Sequence, residues 1–353
     1  MILDVRFYSR SMQLLGFGEG ITSLQWNRKY NAIGNFEIHC AQSNMQYVSK
    51  DGIVWLSGAV EAGVIESVKL FSSSSKHDLI IKGRFLSSYL DRRLVKATYN
   101  VADKLVTSAM RECFENAAPL GDHILLGTVA DDAIKTTFQA TYKNLLEVEQ
   151  SCAQTADLGM RFHPDFEAKK IYFEIYKGVD RSVNQSERPR VVFAPRYKNL
   201  DTVEYEQISS MEKTVCYIGG QGEGEKRTIV TAGDDTLAGL DRRELFLEAT
   251  DVSKTKDMSD GDYINALQGR GDKVLEENRR SETFNADVDP LANFKYKTDY
   301  DLGDIVTVQY PDWGISIDKR LTEISEIYER GAMKIKPTFG KDVLMATLGG
   351  TVI

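Results

Sequence analysis

Residues 218–233 read IGGQGEGEKRTIVTAG, with four of its five glycines crowded at positions 219, 220, 222 and 224. The reading of this stretch decides between two fold classes. A glycine turn that opens a helix gathers backbone N–H groups around a phosphate and marks a doubly wound nucleotide-binding sheet. A glycine turn that joins two strands is a hairpin and belongs to a β-rich fold. The dinucleotide fingerprint demands strand, G-x-G-x-x-G and helix in that order. Here Gly220, Gly222 and Gly224 give G-x-G-x-G, and KRTIVTAG behind them alternates with β-branched residues, as a strand does. Glu223 and Glu225 would repel a phosphate held beside them. No G-K-[ST] follows. A hairpin or bulged connection is expected, with no bound nucleotide.

The alternation extends outward from the loop. VEYEQI (203–208), TVCYIGG (214–220), ELFLEAT (244–250), DIVTVQY (304–310), GISIDKRLTEISEIYERG (314–331) and MKIKP (333–337) read as strands. One amphipathic helix fits about 260–279, with Tyr263, Leu267, Val274 and Leu275 inward, although Gly269 and Gly271 weaken it. The first 95 residues are strand-rich as well. MILDVRFY (1–8) alternates, LQWNRKY (24–30) puts Leu24, Trp26, Arg28 and Tyr30 on one side, and NFEIHC (35–40) puts Phe36, Ile38 and Cys40 on one face. IVWL (53–56), VIESVKLF (64–71) and DLIIKG (78–83) follow, with SSSSK (72–76) as a loop.

Helical periodicity enters only near residue 97. VADKLVTSAMRECFENAA (101–118) predicts a helix capped by Asn100 and ended at Pro119. A second is expected over 142–158, with Leu145, Val148, Cys152 and Ala156 in phase. RFHPDFEAKKIYFEIYKG (161–178) reads as a hairpin with His163 in a turn and Ile171, Phe173 and Ile175 on one face. The fold class is α+β and mostly β. It divides into a first β-barrel-like domain (1–96), an α/β insert (97–199) and a second β-barrel-like region (200–353) holding one helix.

Composition and spacing exclude most chemistry. A net charge of −8 argues against a protein that grips nucleic acid by its phosphates, though not against one that DNA passes. Cys40, Cys113, Cys152 and Cys216 show no C-x-x-C spacing and read as buried free thiols of a reducing compartment. The most apolar window, 52–65, carries Glu61 and is too short to span a membrane. A soluble chain made in a cytosol is expected. His39, His77, His123 and His163 fall at no metal-ligand spacing. DYDLGD (299–304) lacks the Gly and Glu of a calcium loop and reads as a polar turn. SSSK (73–76) matches S-x-x-K without a K-T-G partner. The adjacent acids at 131–132, 234–235 and 276–277 read as solvated surface groups. No catalytic, cofactor or metal residue is expected, and no enzyme.

Several segments carry a resemblance: DRSVNQ (180–185), RPRVVFAPRYKNL (188–200), CYIGGQGEGEKR (216–227), GLDRRELFLEATD (239–251), YINALQGRGDKVLEE (263–277), DYDLGDIVTV (299–308) and TEISEIYERGAMKIKPTFG (322–340). WNRKYNAIGNFEI (26–38) and GRFLSSYLDRR (83–93) join them in the first domain. The chain thereby resembles the tail-hub, or baseplate-hub, proteins of tailed phages, of the siphophage type. Thr250 departs from the pattern, standing where a basic residue is expected before Asp251. The resemblance implies a ring-shaped homotrimer whose six barrels match a six-fold tail tube. It further implies contacts with a distal tail or tube protein and with a tip or spike protein. DNA would pass through the lumen without specific binding. The location implied is the virion tail, made in the bacterial host cytoplasm, without membrane insertion. Many members of the resembled family carry a C-terminal peptidase or receptor-binding extension; none is expected in a chain that ends at Ile353, and lytic activity is not implied.

In that setting the glycine loop is architecture. Gly219, Gly220, Gly222, Glu223, Gly224, Arg227, Arg242 and Arg243 are the structural or interface candidates, the glycines allowing close backbone approach and the arginines pairing with acids. An alternative is a carbohydrate- or receptor-binding tail module using Trp55, Tyr310 and Trp313. A third reading, a hydrolase assembled from distant residues, would require activity on peptidoglycan peptides.

Overall fold

A 15-residue strand, Ile315–Glu329, ties early and late parts of the chain into one sheet. Its first half pairs antiparallel with Ile305–Tyr310, with Val308 opposite Ile317. Its second half pairs with Ser23–Lys29, with Ile324 opposite Arg28, and along the same stretch with Ala332–Gly340. The sheet continues through Asn35–Cys40 and His77–Arg84 to an edge strand, Ser67–Ser72. In the other direction it runs through Ala332–Gly340 and Ser281–Ala286 to Val203–Ile208. The computed structural model describes residues 3–340 except 74–76, 97, 118–119, 201, 251, 255–257, 287, 289–292 and 330. Pro119, Asp251 and most of the SSSK stretch therefore lie outside the described residues.

The period of two expected from the sequence sorts these strands correctly. Leu24, Trp26, Arg28 and Tyr30 are all buried, as are Phe36, Ile38 and Cys40. A four-stranded sheet of Leu14–Phe17, Val5–Tyr8, Ile53–Leu56 and Gly63–Val64 packs over Leu24, Trp26, Phe36, Ile38 and Cys40. Val5, Phe7, Val54 and Leu56 from that sheet share a core with Leu24, Trp26, Phe36 and Ile81 from the large one. Two inner faces that each bury alternate residues give the sandwich-like packing.

The middle of the chain contains helix α1, Val106–Asn116, and helix α2, Leu145–Thr155. Both pack on a mixed sheet in which Lys170–Tyr176 lies between Ile124–Val129, parallel to it, and Gly159–Asp165, antiparallel. Met110, Cys113, Cys152, Phe162 and Phe173 meet in this core. The expected hairpin is present, but His163 sits within its first strand, opposite Tyr172, not in a turn. Helix α1 also starts later than the sequence suggests. Residues 101–105 belong to the strand Thr98–Leu105, which pairs antiparallel with Lys135–Thr141. VADKL fits a period of two as well as a helical period, and the partner strand settles the ambiguity through backbone hydrogen bonds. Asn100 is consequently no cap. Asp132 does that work, accepting from the Thr107 N–H at 3.0 Å and from the Thr107 hydroxyl at 3.3 Å. Asp132 is thus a capping group and not merely a solvated acid.

One residue of α2 breaks the apolar pattern of this core. Glu149 is fully buried and neither carboxylate oxygen has a hydrogen-bond partner among the described residues. Burial alone raises its pKa well above the ordinary value of 4.5. The folded form therefore keeps its proton where the unfolded chain has lost it. Stability from this group is complete below pH 4.5 and declines as pH rises above it. Glu149→Met should remove that decline and stabilise the protein at pH 7 by about 1–3 kcal/mol. Urea midpoints of both proteins at acidic and neutral pH check this; equal pH slopes would contradict it.

Helix α3, Asp260–Glu277, is capped by the Ser259 hydroxyl, which accepts from the Asp262 N–H at 3.1 Å. It covers a separate three-stranded sheet, Ile229–Gly233, Val215–Gly219 and Glu244–Glu248. The two glycines that weaken α3 by propensity are contact positions. A Cβ on Gly271 would lie 2.5 Å from Ile218 Cδ1, and one on Gly269 would lie 2.7 Å from the Thr137 carbonyl oxygen. Twenty-two strands against three α-helices, among the described residues, make the fold α+β and mostly β.

Candidate functional site

All eight candidate residues fall in the unit built from that three-stranded sheet and α3. The 218–233 stretch is a hairpin, with Val215 opposite Gly233 and Gly219 opposite Ile229. A single 3-10 turn, Gly224–Lys226, precedes the second strand, so the glycine loop leads into a strand and does not open an α-helix. Gly222 has φ +105, and a Cβ there would come within 2.5 Å of the Lys226 carbonyl oxygen. Gly224 has φ +55 but open space around it. Gly220 lies under α3, where a Cβ would meet the Tyr263 hydroxyl at 2.4 Å. The Tyr263 hydroxyl in turn accepts from the Gln221 N–H at 2.7 Å. Glu223 is exposed and its carbonyl closes the turn by accepting from the Lys226 N–H at 3.1 Å.

This geometry separates the glycines by cost. Gly222→Val should destabilise by about 3 kcal/mol, because backbone strain and backbone crowding add. Gly224→Asn should cost under about 1 kcal/mol, since Asn tolerates a left-handed conformation and nothing crowds it. Urea denaturation of both variants checks the ordering, and equal losses would contradict it.

The arginines find their acids within the chain. Arg227 spans the hairpin: Nε donates to the Gly220 carbonyl at 3.2 Å, Nη2 to the Gly219 carbonyl at 3.0 Å, and Nη1 to Glu248 at 3.0 Å. Its second contact to Glu248 completes a fork, and its guanidinium lies over the Phe246 ring. That hydrogen-bonded pairing lowers the pKa of Glu248. Arg242 reaches Asp235 at 2.6 Å, Glu244 at 2.5 Å and the Tyr217 hydroxyl at 2.7 Å. Arg243 pairs with Glu212 at 2.8 Å and donates to the Ser209 carbonyl at 2.7 Å. The arrangement fixes the connection between the strands. The four cysteines are buried and unpaired, and burial pushes the Cys40 thiol up to about 11.

A second cluster, unnoticed in the sequence as a group, joins the parts of the chain. Arg28 is buried on the Ser23–Lys29 strand and donates to Glu61 at 2.6 Å, Asp301 at 2.7 Å and the Tyr296 hydroxyl at 2.7 Å. The Tyr296 hydroxyl passes its own hydrogen to Glu326 at 3.1 Å, and Tyr328 and Lys297 also contact Glu326. Burial opposes the Arg28 charge, but Tyr296, Glu61 and Asp301 outweigh it and hold the pKa well above the ordinary value. Nearby, the DYDLGD turn docks other parts of the chain. Asp304 accepts from the Val179 N–H at 2.9 Å and from Arg181 at 2.8 Å, while Arg320 donates to Asp157 at 2.7 Å. Arg28 stood out in the sequence only as a charge in phase with Leu24, Trp26 and Tyr30.

Of the aromatics weighed for ligand binding, Trp55 is half-buried, with its N–H donated to the Ala59 carbonyl at 2.8 Å and its ring against Phe166. Trp313 is 48% exposed and its ring lies 4.0 Å from that of Tyr310. No helix among the described residues is long and apolar enough to cross a membrane.

Known proteins share this architecture. The family model described as Siphovirus ReqiPepy6 Gp37-like protein matches residues 4–341. No curated protein matches the chain. Among solved structures it is similar to the tail protein from Neisseria meningitidis MC58, at 13% identity over 97% of each chain with TM-score 0.61. It is similar also to the 43 kDa tail protein of prophage MuSo2 from Shewanella oneidensis, at 11% identity over 95% of this chain and 98% of that one, TM-score 0.62. The prophage tail protein gp18 from Listeria monocytogenes EGD-e gives 12% identity, 97% and 95% coverage, and TM-score 0.58. At such identities the likeness is one of fold. The family match runs through the hairpin unit, the Arg28 cluster and the long shared strand alike, and this chain belongs to the Siphovirus ReqiPepy6 Gp37-like protein family.

Proposed function

We propose that the protein is a structural hub of a phage or prophage tail. In this reading three copies form a ring that joins the tail tube to a tip or spike protein and lets DNA through its lumen. The observation that carries it is the fold shared across 97% of the chain with a tail protein, together with the family match over residues 4–341. The division into two β-barrel-like domains, 1–96 and 200–353, with an insert at 97–199 belongs to the same proposal. Three copies of two such domains would present six similar units to a six-fold tube. The net charge of −8 suits a lumen that repels DNA phosphates and does not hold them. The glycine hairpin, Arg227, Arg242 and Arg243 would brace each subunit near its contacts. The role is structural, without catalysis. Negative-stain electron microscopy of the purified protein tests the proposal: three-fold rings with a central opening are expected, and particles without rotational symmetry would count against it.

A second reading draws on one observation, the exposed Trp313 with its ring packed at a tilt against Tyr310. Such a ring pair suits contact with a sugar face, and the protein would then be a carbohydrate-binding tail module. Binding to cell-wall glycans that is lost in Trp313→Ala would favour it.

A further inference from the structure

A cleft of about 580 Å³ opens where turns from the first domain and the insert converge. Residues 9–11 follow the strand Val5–Tyr8, and residues 49 and 50 follow the 3-10 turn Gln42–Tyr47. From the insert come His123, just before Ile124–Val129, and Lys169, in the turn of the 159–176 hairpin. None of the lining residues is acidic, in a chain whose net charge is −8.

The cations of this cleft are incompletely neutralised. Lys50 and Lys169 line it and have no ion-pair partner among the described residues. Arg10 is mostly exposed, at 67%, and its one acid among the described residues is Asp51 at 3.8 Å, which Arg92 already holds at 2.9 Å. Lys170 beside the cleft donates to the Asp122 carbonyl at 3.1 Å. His123 registers the resulting field. Partial burial lowers its pKa, the Arg10 and Lys170 charges lower it further, and Asp122 opposes them. Hydroxyls complete the lining: Ser9 and Ser11 lie 2.9 Å apart, and Ser49 stands beside Lys50. Like charges gathered in a concave site with hydroxyl donors, and without a carboxylate in the lining, match the recognition chemistry of an oxyanion.

We propose that this cleft binds a phosphate-type oxyanion, free or as a phosphate ester, between Arg10, Lys50, Lys169 and His123. The site is independent of the hub reading, since it needs neither assembly nor a tail partner. A bound anion adds negative charge beside His123 and raises its pKa, reversing the effect of Arg10 and Lys170; Asp122 is the acid that already opposes them.

Imidazole NMR signals of the full chain test the proposal, with His123→Gln identifying the resonance among the four histidines. Inorganic phosphate is added at constant ionic strength, balanced with sodium chloride. The expected result is a saturable shift of the His123 signal, a raised pKa at that histidine, and little change at His39, His77 and His163. Arg10→Ala combined with Lys169→Ala changes only surface side chains and should weaken binding by about tenfold or more. Glycerol 3-phosphate forms the second arm: binding of both probes assigns the site to phosphate esters, and binding of inorganic phosphate alone assigns it to the free anion. An equal shift in chloride alone, or unchanged affinity in the double variant, would overturn the proposal.

Discussion

Arg28→Ala is expected to lower the stability of the folded chain by about 3–5 kcal/mol, because it strands the buried Glu61 without its counter-charge. Glu61 is buried beside it, and the Arg28–Glu61 contact at 2.6 Å is made between side chains that are almost entirely hidden from water. Asp301 and the Tyr296 hydroxyl lose their shared donor in the same step. The loss should appear as a fall in the urea midpoint. Arg28→Lys should recover only part of it, since one ammonium cannot reproduce a guanidinium fork directed at three partners. Arg28→Met with Glu61→Met should lose less than Arg28→Ala, as an apolar pair leaves no buried charge behind. A double variant as unstable as the single would show that packing and not charge dominates at this junction.

The second large effect lies a short distance away. Gly178 approaches the DYDLGD turn so closely that an added Cβ would sit 1.8 Å from the Gly303 carbonyl oxygen and 2.6 Å from the Asp304 nitrogen. Both obstacles are backbone and cannot rotate aside. The approach is held by the Ile305 N–H to the Val179 carbonyl at 3.0 Å and by the Val179 N–H to Asp304 at 2.9 Å. Gly178→Val should therefore separate the two segments and cost about 3 kcal/mol or more. The same substitution at Gly314, where nothing lies within 4 Å, should cost less, with only its left-handed φ of +66 to resist. Urea unfolding of the two variants makes the comparison, and equal losses would contradict the account.

What the sequence reveals is governed by locality. Strand faces were legible wherever one side is buried, as with Leu24, Trp26, Phe36, Ile38, Ile171 and Phe173. The hairpin at 218–233 was legible because alternation on both sides excludes a helix. Residues 101–105 misled because VADKL satisfies two periods, and only pairing with Lys135–Thr141, some thirty residues on, resolves them. The partners of the arginines were opaque for the same reason. Arg227 meets Glu248 across 21 residues, while Arg28 meets Glu61 across 33 and Asp301 across 273. A buried charge on an apolar strand face was visible in the sequence; its counter-ions were not. Glu149 is the converse case, a helix position that reads as polar surface and is buried without a partner.

The central claim is that three copies of this chain form the ring of a tail hub. Multi-angle light scattering of the purified protein, over a wide concentration range, tests it most directly. The account predicts a species with three times the 39.7 kDa mass of the single chain, persisting on dilution or appearing as concentration rises. A stable dimer, or any closed assembly whose subunit number is not a multiple of three, would contradict it.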